Sequence, residues 1–183
     1  MKVIITGATG YVGEGVMLAC LDNPEIEKVL SVSRRTCGHS HPKLEEYIVP
    51  DFMELPAGDP KLQGYDAVFF IAGISSVGLK EEQYVGISHD IPLHFADVVG
   101  PKENMTVVYL SGAGNYKSTT QMWVRIKKST EDAVFLLGNV PLLQDRRYVE
   151  QNERSSDAMI AVVKNGYKKP AIECRDISKL AKR

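Results

Sequence analysis

The sequence predicts a doubly wound α/β domain: a parallel sheet with helices on both faces. Three observations predict it. Short runs of β-branched and apolar residues recur along the chain, helical patterns separate them, and the first run passes into the first helix through glycines spaced three apart, Gly7, Gly10 and Gly13. The apolar runs are continuous instead of alternating, which is how strands read when helices cover both faces of a parallel sheet.

Taken in order, residues 2–6 (KVIIT) read as a buried strand, 12–21 as a helix and 28–33 (KVLSVS) as a second strand. Residues 47–49 read as a third strand and 66–73 (DAVFFIAG) as a fourth. Residues 80–99 are helical, interrupted at Pro92, which starts a new turn or kinks the helix because it has no N–H to give. Residues 105–112 (MTVVYLSG) make a fifth strand and 120–137 a long helix. Ser155 or Ser156 can cap a last helix over 157–165, and Gly166 ends it in the C′ position. No repeat, low-complexity stretch or linker interrupts the chain, so residues 1–183 are expected to form a single domain.

Composition bounds the function. The 183 residues are 44% hydrophobic and 25% charged, with a net charge of −1, enough for one domain with a real core. No window approaches the roughly 18 apolar residues of a membrane span, and the N-terminus lacks a signal peptide's pattern. A cytoplasmic location is therefore expected. The balanced charge gives no basic footprint for nucleic acid, and neither that partner nor a membrane is expected. Cys20, Cys37 and Cys174 are odd in number and far apart, which fits reduced structural thiols. His39 and His41 flank a serine without a third ligand nearby, so no metal site is expected.

The strongest motif is TGATGYVGEG, residues 6–15. A site for a pyrophosphate needs a tight turn, a backbone without Cβ where the anion approaches, and close helix-on-strand packing; Gly7, Gly10 and Gly13 can supply these in that order. The N–H groups that open the following helix then face the anion, which brings in Thr9, Tyr11 and Val12 as neighbours. A dinucleotide site of the Rossmann fold is expected here. Its selectivity is read at the end of the second strand, where an acidic residue holds a ribose 2′-OH and an arginine accepts a 2′-phosphate. Here the chain reads Ser31-Val32-Ser33-Arg34-Arg35. Arg34, with Arg35 as second candidate, can fork onto a phosphate, and no carboxylate stands at the tip, so NADP(H) is favoured over NAD(H). Asp51 and Phe52 follow the third strand where an adenine amino group could be met, and Ala72-Gly73 let the middle of the cofactor pass close to the backbone.

Together these residues resemble the short-chain dehydrogenase/reductase superfamily, in the TGATGYVG form of its extended and atypical members, among them epimerase-like, NmrA-like and Tat-interacting-protein-like oxidoreductases. The resemblance runs from residue 1 to about 137 and resumes over the C-terminal helix. It implies a serine at the end of the fifth strand and a Tyr-x-x-x-Lys on the next helix, where the lysine holds the nicotinamide ribose and the tyrosine transfers a proton. Ser111 matches the serine and Lys127 the lysine, with Trp123 in the tyrosine's place. An indole N–H donates a hydrogen bond but releases no proton near neutrality, so the proton-transfer role is vacant. Tyr116, between Ser111 and Trp123, is the nearest substitute in sequence.

Three readings follow. The chain is an NADP(H)-dependent oxidoreductase of an unknown small-molecule substrate, or a catalytically impaired NADP(H)-binding sensor or scaffold of the NmrA type, or an α/β structural protein without a ligand. The resemblance further implies a homodimer through helices 80–99 and 120–137, which carry more apolar positions than one buried face needs. It also implies a sixth strand ending Arg-Pro-Gly and a long substrate-covering segment. No Arg-Pro-Gly occurs, and the stretch after residue 137 leads almost directly to the last helix, so either the covering segment is absent or residues 137–141 join the two sides of a missing stretch.

Overall fold

Seven strands, all parallel, form one sheet in the order β3-β2-β1-β4-β5-β6-β7 in a computed structural model that describes residues 1–100, 105–112, 120–136, 142–145, 152–166, 171–173 and 179. The strands are β1 (Lys2–Thr6), β2 (Lys28–Ser33), β3 (Leu44–Ile48), β4 (Ala67–Phe70), β5 (Thr106–Gly112), β6 (Leu142–Asp145) and β7 (Ala171–Glu173). The helices are α1 (Tyr11–Asp22), α2 (Glu81–Val85), α3 (Ile91–Val99), α4 (Met122–Leu136) and α5 (Asn152–Asn165).

The continuous apolar strands are explained by burial on both faces. Val3 and Ile5 of β1 pack with Phe69, Val16, Met17 and Met159 on the side of α1 and α5. Ile4, between them, points the other way and packs with Phe70, Phe95, Tyr109 and Val134 on the side of α3 and α4. The strand order reverses direction between β1 and β4, leaving a crevice at their carboxyl ends.

The expected interruption at Pro92 takes a specific form. A π-helical turn, Gly86–Asp90, links α2 to α3, and Pro92 sits in the first turn of α3, where its missing N–H costs nothing. Thr130 of α4 donates its hydroxyl to the Ser88 carbonyl in that turn (2.8 Å), which locks α4 against it.

Three expectations need correction. The third strand lies at Leu44–Ile48, earlier than 47–49. β3 is an edge strand, where charge on the open side is favoured; Glu45 pairs with Lys28 of β2 (2.8 Å). The last helix starts at Asn152, so Ser155 and Ser156 lie inside it and neither is its N-cap. Ser156 is buried instead, its hydroxyl 3.5 Å from the Cys20 sulfur where α5 meets α1. Gly166 does end the helix with a positive φ of 68°, its N–H bonded to the Val162 carbonyl. A sixth strand is present: β6 pairs with β5 from Tyr109↔Leu142 to Gly112↔Asp145, and β7 extends the sheet. Both are too short for periodicity to reveal them; what calls for them is the edge of β5, which needs a partner. Residues 137–141 and Tyr116 lie outside the described residues.

Cys20 and Cys37 are free thiols, and burial pushes Cys20 up to about 11, as expected of an inert structural cysteine. Among the described residues no three metal-ligating side chains cluster, and no helix is long and apolar enough to cross a membrane.

Candidate functional site

A cavity of about 800 Å³ opens at the crevice between the carboxyl ends of β1, β2 and β4, within the size range of ligand pockets. The turn from β1 into α1 forms its floor. Gly7 has a φ of 80°, and a Cβ there would stand 2.7 Å from the backbone nitrogen of Ala72. A Cβ on Gly13 would stand 2.0 Å from the Gly7 carbonyl oxygen. Both are therefore glycine because protein backbone already fills the space.

Gly10 differs. It lines the cavity as the N-cap of α1, in extended backbone, and a Cβ there would meet nothing closer than the Gly7 oxygen at 3.5 Å, an ordinary contact. No side chain caps α1. A methyl group on Gly10 would take up cavity space over the helix N-terminus while disturbing no protein atom. The residues present thus fit a diphosphate group, which needs open access to N–H donors at a positive helix end. Thr9, Tyr11 and Val12 line the same wall.

The other walls follow from the strand ends. Thr6 accepts hydrogen bonds from the N–H groups of Ile71 (3.1 Å) and Ala72 (3.2 Å), tying the exit of β4 to β1 and presenting Ala72 and Gly73 to the cavity. At the tip of β2, the Ser33 hydroxyl donates to the Arg35 carbonyl (2.6 Å), turning the chain so that Arg34 lines the cavity and Arg35 does not. The loop beyond is braced by Glu46, which accepts from the Thr36 hydroxyl and the Cys37 N–H, and by His39 against Glu14 of α1 at 2.7 Å. Asp51 lines the cavity and accepts from the Met53 N–H (2.9 Å), which fixes a short 3-10 turn. Phe52 beside it is buried and begins a row of rings, Phe52–Phe95–Phe70–Tyr109, each 5.7–6.0 Å from the next, that runs beneath the cavity.

At the far end of that row stands α4. Ser111 is buried and donates its hydroxyl to Glu131, itself buried. Lys127, one turn before Glu131, donates from Nζ to the Tyr109 hydroxyl at 3.0 Å and lies 5.2 Å from the centre of its ring. Its Nζ comes within 3.9 Å of where a Cβ on Gly73 would stand, so it reaches the cavity wall at the end of β4. Burial pulls the Lys127 ammonium down to about 8, against the pull of the Glu131 carboxylate. Trp123 is partly buried, and neither it, Ser111 nor Lys127 lines the cavity itself.

Sequence reasoning thus named residues that the fold brings to one cavity: Gly7, Thr9 and the run from Gly10 to Gly13, with Arg34, Asp51, Phe52, Ala72 and Gly73. It missed Ser75, Ile87 and Leu110 on the cavity wall, and the Tyr109 and Glu131 partners below. Glu131 had a legible signal, since it lies four residues after Lys127 on one helix face. Ile87 had none, because the π-helical turn that presents it has no sequence period.

A parallel sheet reversing at β1/β4, with a glycine-floored cavity at the reversal, defines a dinucleotide-binding α/β fold. Within that class the chain belongs to the NAD dependent epimerase/dehydratase family, whose model matches residues 3–135. It is similar to the protein fmp52 of Aspergillus fumigatus, named as mitochondrial, at 27% identity over 144 residues, which is 75% of this chain and 61% of that one. The fmp52 protein of Emericella nidulans is 26% identical over the same share. The chain spans 61% of the length of these curated relatives. Among solved structures, UDP-glucuronic acid 4-epimerase from Bacillus cereus in complex with NAD superposes with a TM-score of 0.76 at 13% identity, over 94% of this chain and 78% of that one. A carbonyl reductase from Pseudomonas aeruginosa matches with a TM-score of 0.69 at 17% identity, over 96% and 97%. At these identities the likeness is one of fold.

Proposed function

We propose that this chain binds NADP(H) in preference to NAD(H) and acts as an oxidoreductase on a small carbonyl or alcohol. The observation that carries the reading is Gly10: of the three glycines it alone is left unexplained by the protein's own packing, and it leaves room over the uncapped start of α1. In this reading Gly7, Thr9, Gly10, Tyr11, Val12 and Gly13 surround the pyrophosphate. Arg34, with Arg35 behind it, meets the 2′-phosphate; Asp51 and Phe52 meet the adenine; Ala72 and Gly73 flank the middle of the cofactor. Lys127 faces the nicotinamide ribose, with Ser111 and Trp123 beside the reacting end. When bound, the cofactor supplies or takes a hydride. The epimerase relative binds NAD, which supports a nicotinamide dinucleotide without deciding between the two forms.

A thermal-shift comparison of NADPH with NADH tests this, with Arg34→Ala expected to remove the preference. The sensor reading of the NmrA type has its own support, since the proton-donor position holds Trp123 and the Ser111 hydroxyl is committed to Glu131. Stopped assays of NADPH oxidation against quinones, aldehydes and sugar nucleotides separate the two. A homodimer through the segments 80–99 and 120–137 accompanies either reading and is tested by sedimentation at micromolar concentration. A cytoplasmic location rests on the sequence alone, whereas the curated relatives are named as mitochondrial; cell fractionation decides it.

A further inference from the structure

We propose that Lys127, held in place by Tyr109, delivers the proton to the substrate oxygen, taking over the role left vacant at Trp123. The inference rests on the oxidoreductase reading above and adds the acid. Its basis is geometric. The Lys127 Nζ is fixed from below by the Tyr109 hydroxyl at 3.0 Å and stands above that ring, while its other side approaches Gly73 on the cavity wall. Tyr109 is itself 1% exposed and its ring packs against that of Phe70, so it positions the amine and does not meet substrate. Trp123, Lys127 and Glu131 follow one another at four-residue spacing along one face of α4.

The charges around it support an acid. From α4 itself, Glu131 faces the amine but accepts the Ser111 hydroxyl and stays one turn away. From β5, only the neutral Tyr109 hydroxyl meets it among the hydrogen bonds described. On the helices packed against α4, Glu81 is paired with Arg125 and His89 with Asp90. Burial therefore dominates, and the ammonium gives up its proton near pH 8, where a general acid is effective.

The step balances simply. A hydride reaches the carbonyl carbon, the C=O π pair becomes an O–H bond to the proton released by Lys127, and the amine keeps the N–H pair as its lone pair. Water then returns a proton to the amine. The substrate class is an apolar aldehyde or ketone, since Ile74, Ile87 and Ile91 line the cavity.

The test uses the full chain carrying isotope-labelled lysine. The Lys127 signal, assigned by its loss in Lys127→Arg, is expected to titrate near 8, well below the other lysines. In Tyr109→Phe it should move lower still, because the ammonium loses its hydrogen-bond acceptor. Reduction of apolar carbonyls by NADPH should slow as pH rises through that value. Lys127→Arg keeps the positive charge but holds its proton, and should lose about 10²- to 10⁴-fold in kcat. Tyr109→Phe should lose about 10- to 100-fold through misplacement of the amine. A Lys127 signal titrating with the other lysines, an unchanged kcat in Lys127→Arg, or no reduction of any carbonyl overturns the proposal. If NADPH binds and Lys127→Arg keeps its rate, the proton assignment alone fails; if NADPH does not bind, the oxidoreductase reading fails with it.

Discussion

The cavity floor and the polar cluster beside its wall are built from different materials. At the end formed by β1 and α1, backbone does the work: three glycines, a helix N-terminus and a threonine that ties β1 to β4, all within residues 6–13 apart from the β4 exit they touch. Beside the wall, where α4 packs on β5, side chains from distant positions form a polar cluster, with Tyr109 on Lys127 and Ser111 on Glu131. Backbone sites depend on what is missing, side-chain sites on what is present. The first tolerate no added atom where backbone already fills the space, as at Gly7 and Gly13.

The largest expected effect separates two glycines that look equivalent. Gly13→Ala should cost about 3 kcal/mol, the upper part of the usual overpacking range, because its Cβ would strike the Gly7 carbonyl and neither backbone can yield. Gly10→Ala should stay within about 0.5 kcal/mol of the parent without ligand, since its Cβ meets only an ordinary contact. Urea denaturation of the two variants measures both. Equal costs would mean that Gly10 is as structural as Gly13.

In the polar cluster, Glu131→Ala should cost about 2 to 3 kcal/mol by leaving the buried Ser111 hydroxyl without this acceptor. The same change should lower the Lys127 pKa further, because the carboxylate supports the ammonium. A stability loss without that shift would separate Glu131 from the lysine.

Lys127 also makes a prediction about pH. Its folded pKa lies below its unfolded value, so below about 8 both states carry the proton and the burial cost is fully present. Between there and about 10.5 the unfolded chain binds more protons, and stability from this group rises with pH. Lys127→Met should therefore be more stable than the parent at pH 7 by about 1 to 2 kcal/mol, after the hydrogen bond lost at Tyr109, with the advantage gone near pH 10. Thermal melts across that window would show it, and a pH-independent difference would contradict the burial of the charge.

The smallest effect on binding concerns the exchanged member. Trp123→Tyr should raise carbonyl reduction, by opening a phenol route beside Lys127, while NADPH affinity changes little. No gain with any carbonyl tested would put the sensor reading ahead.

This contrast also explains what could be read in the chain. The glycine-floored end was legible because its determinants are contiguous and each glycine has a local reason, and Arg34 followed from standing at the tip of β2. Tyr109 read as an ordinary residue of an apolar strand, since nothing local says that a lysine eighteen positions on will meet its hydroxyl. Ser111 was found by position, yet its hydroxyl faces a buried carboxylate and not the cavity, a fact set by the packing of α4 on β5. The strands β6 and β7 escaped for the same kind of reason, because pairing with a neighbour defines them and their own three or four residues do not.

The central claim is that the space above Gly10 belongs to the diphosphate of NADP(H). Calorimetric titration of NADPH and NADH into the parent chain and into Gly10→Ala tests it most directly. The parent should bind NADPH more tightly than NADH, and NADPH at a hundred times its dissociation constant should stabilise the fold by about 2.7 kcal/mol. Gly10→Ala, folded and equally stable without ligand, should lose at least about tenfold in affinity for both, or about 1.4 kcal/mol. NADH binding as well as NADPH would contradict the Arg34 assignment, and Gly10→Ala binding NADPH as tightly as the parent would contradict the site itself.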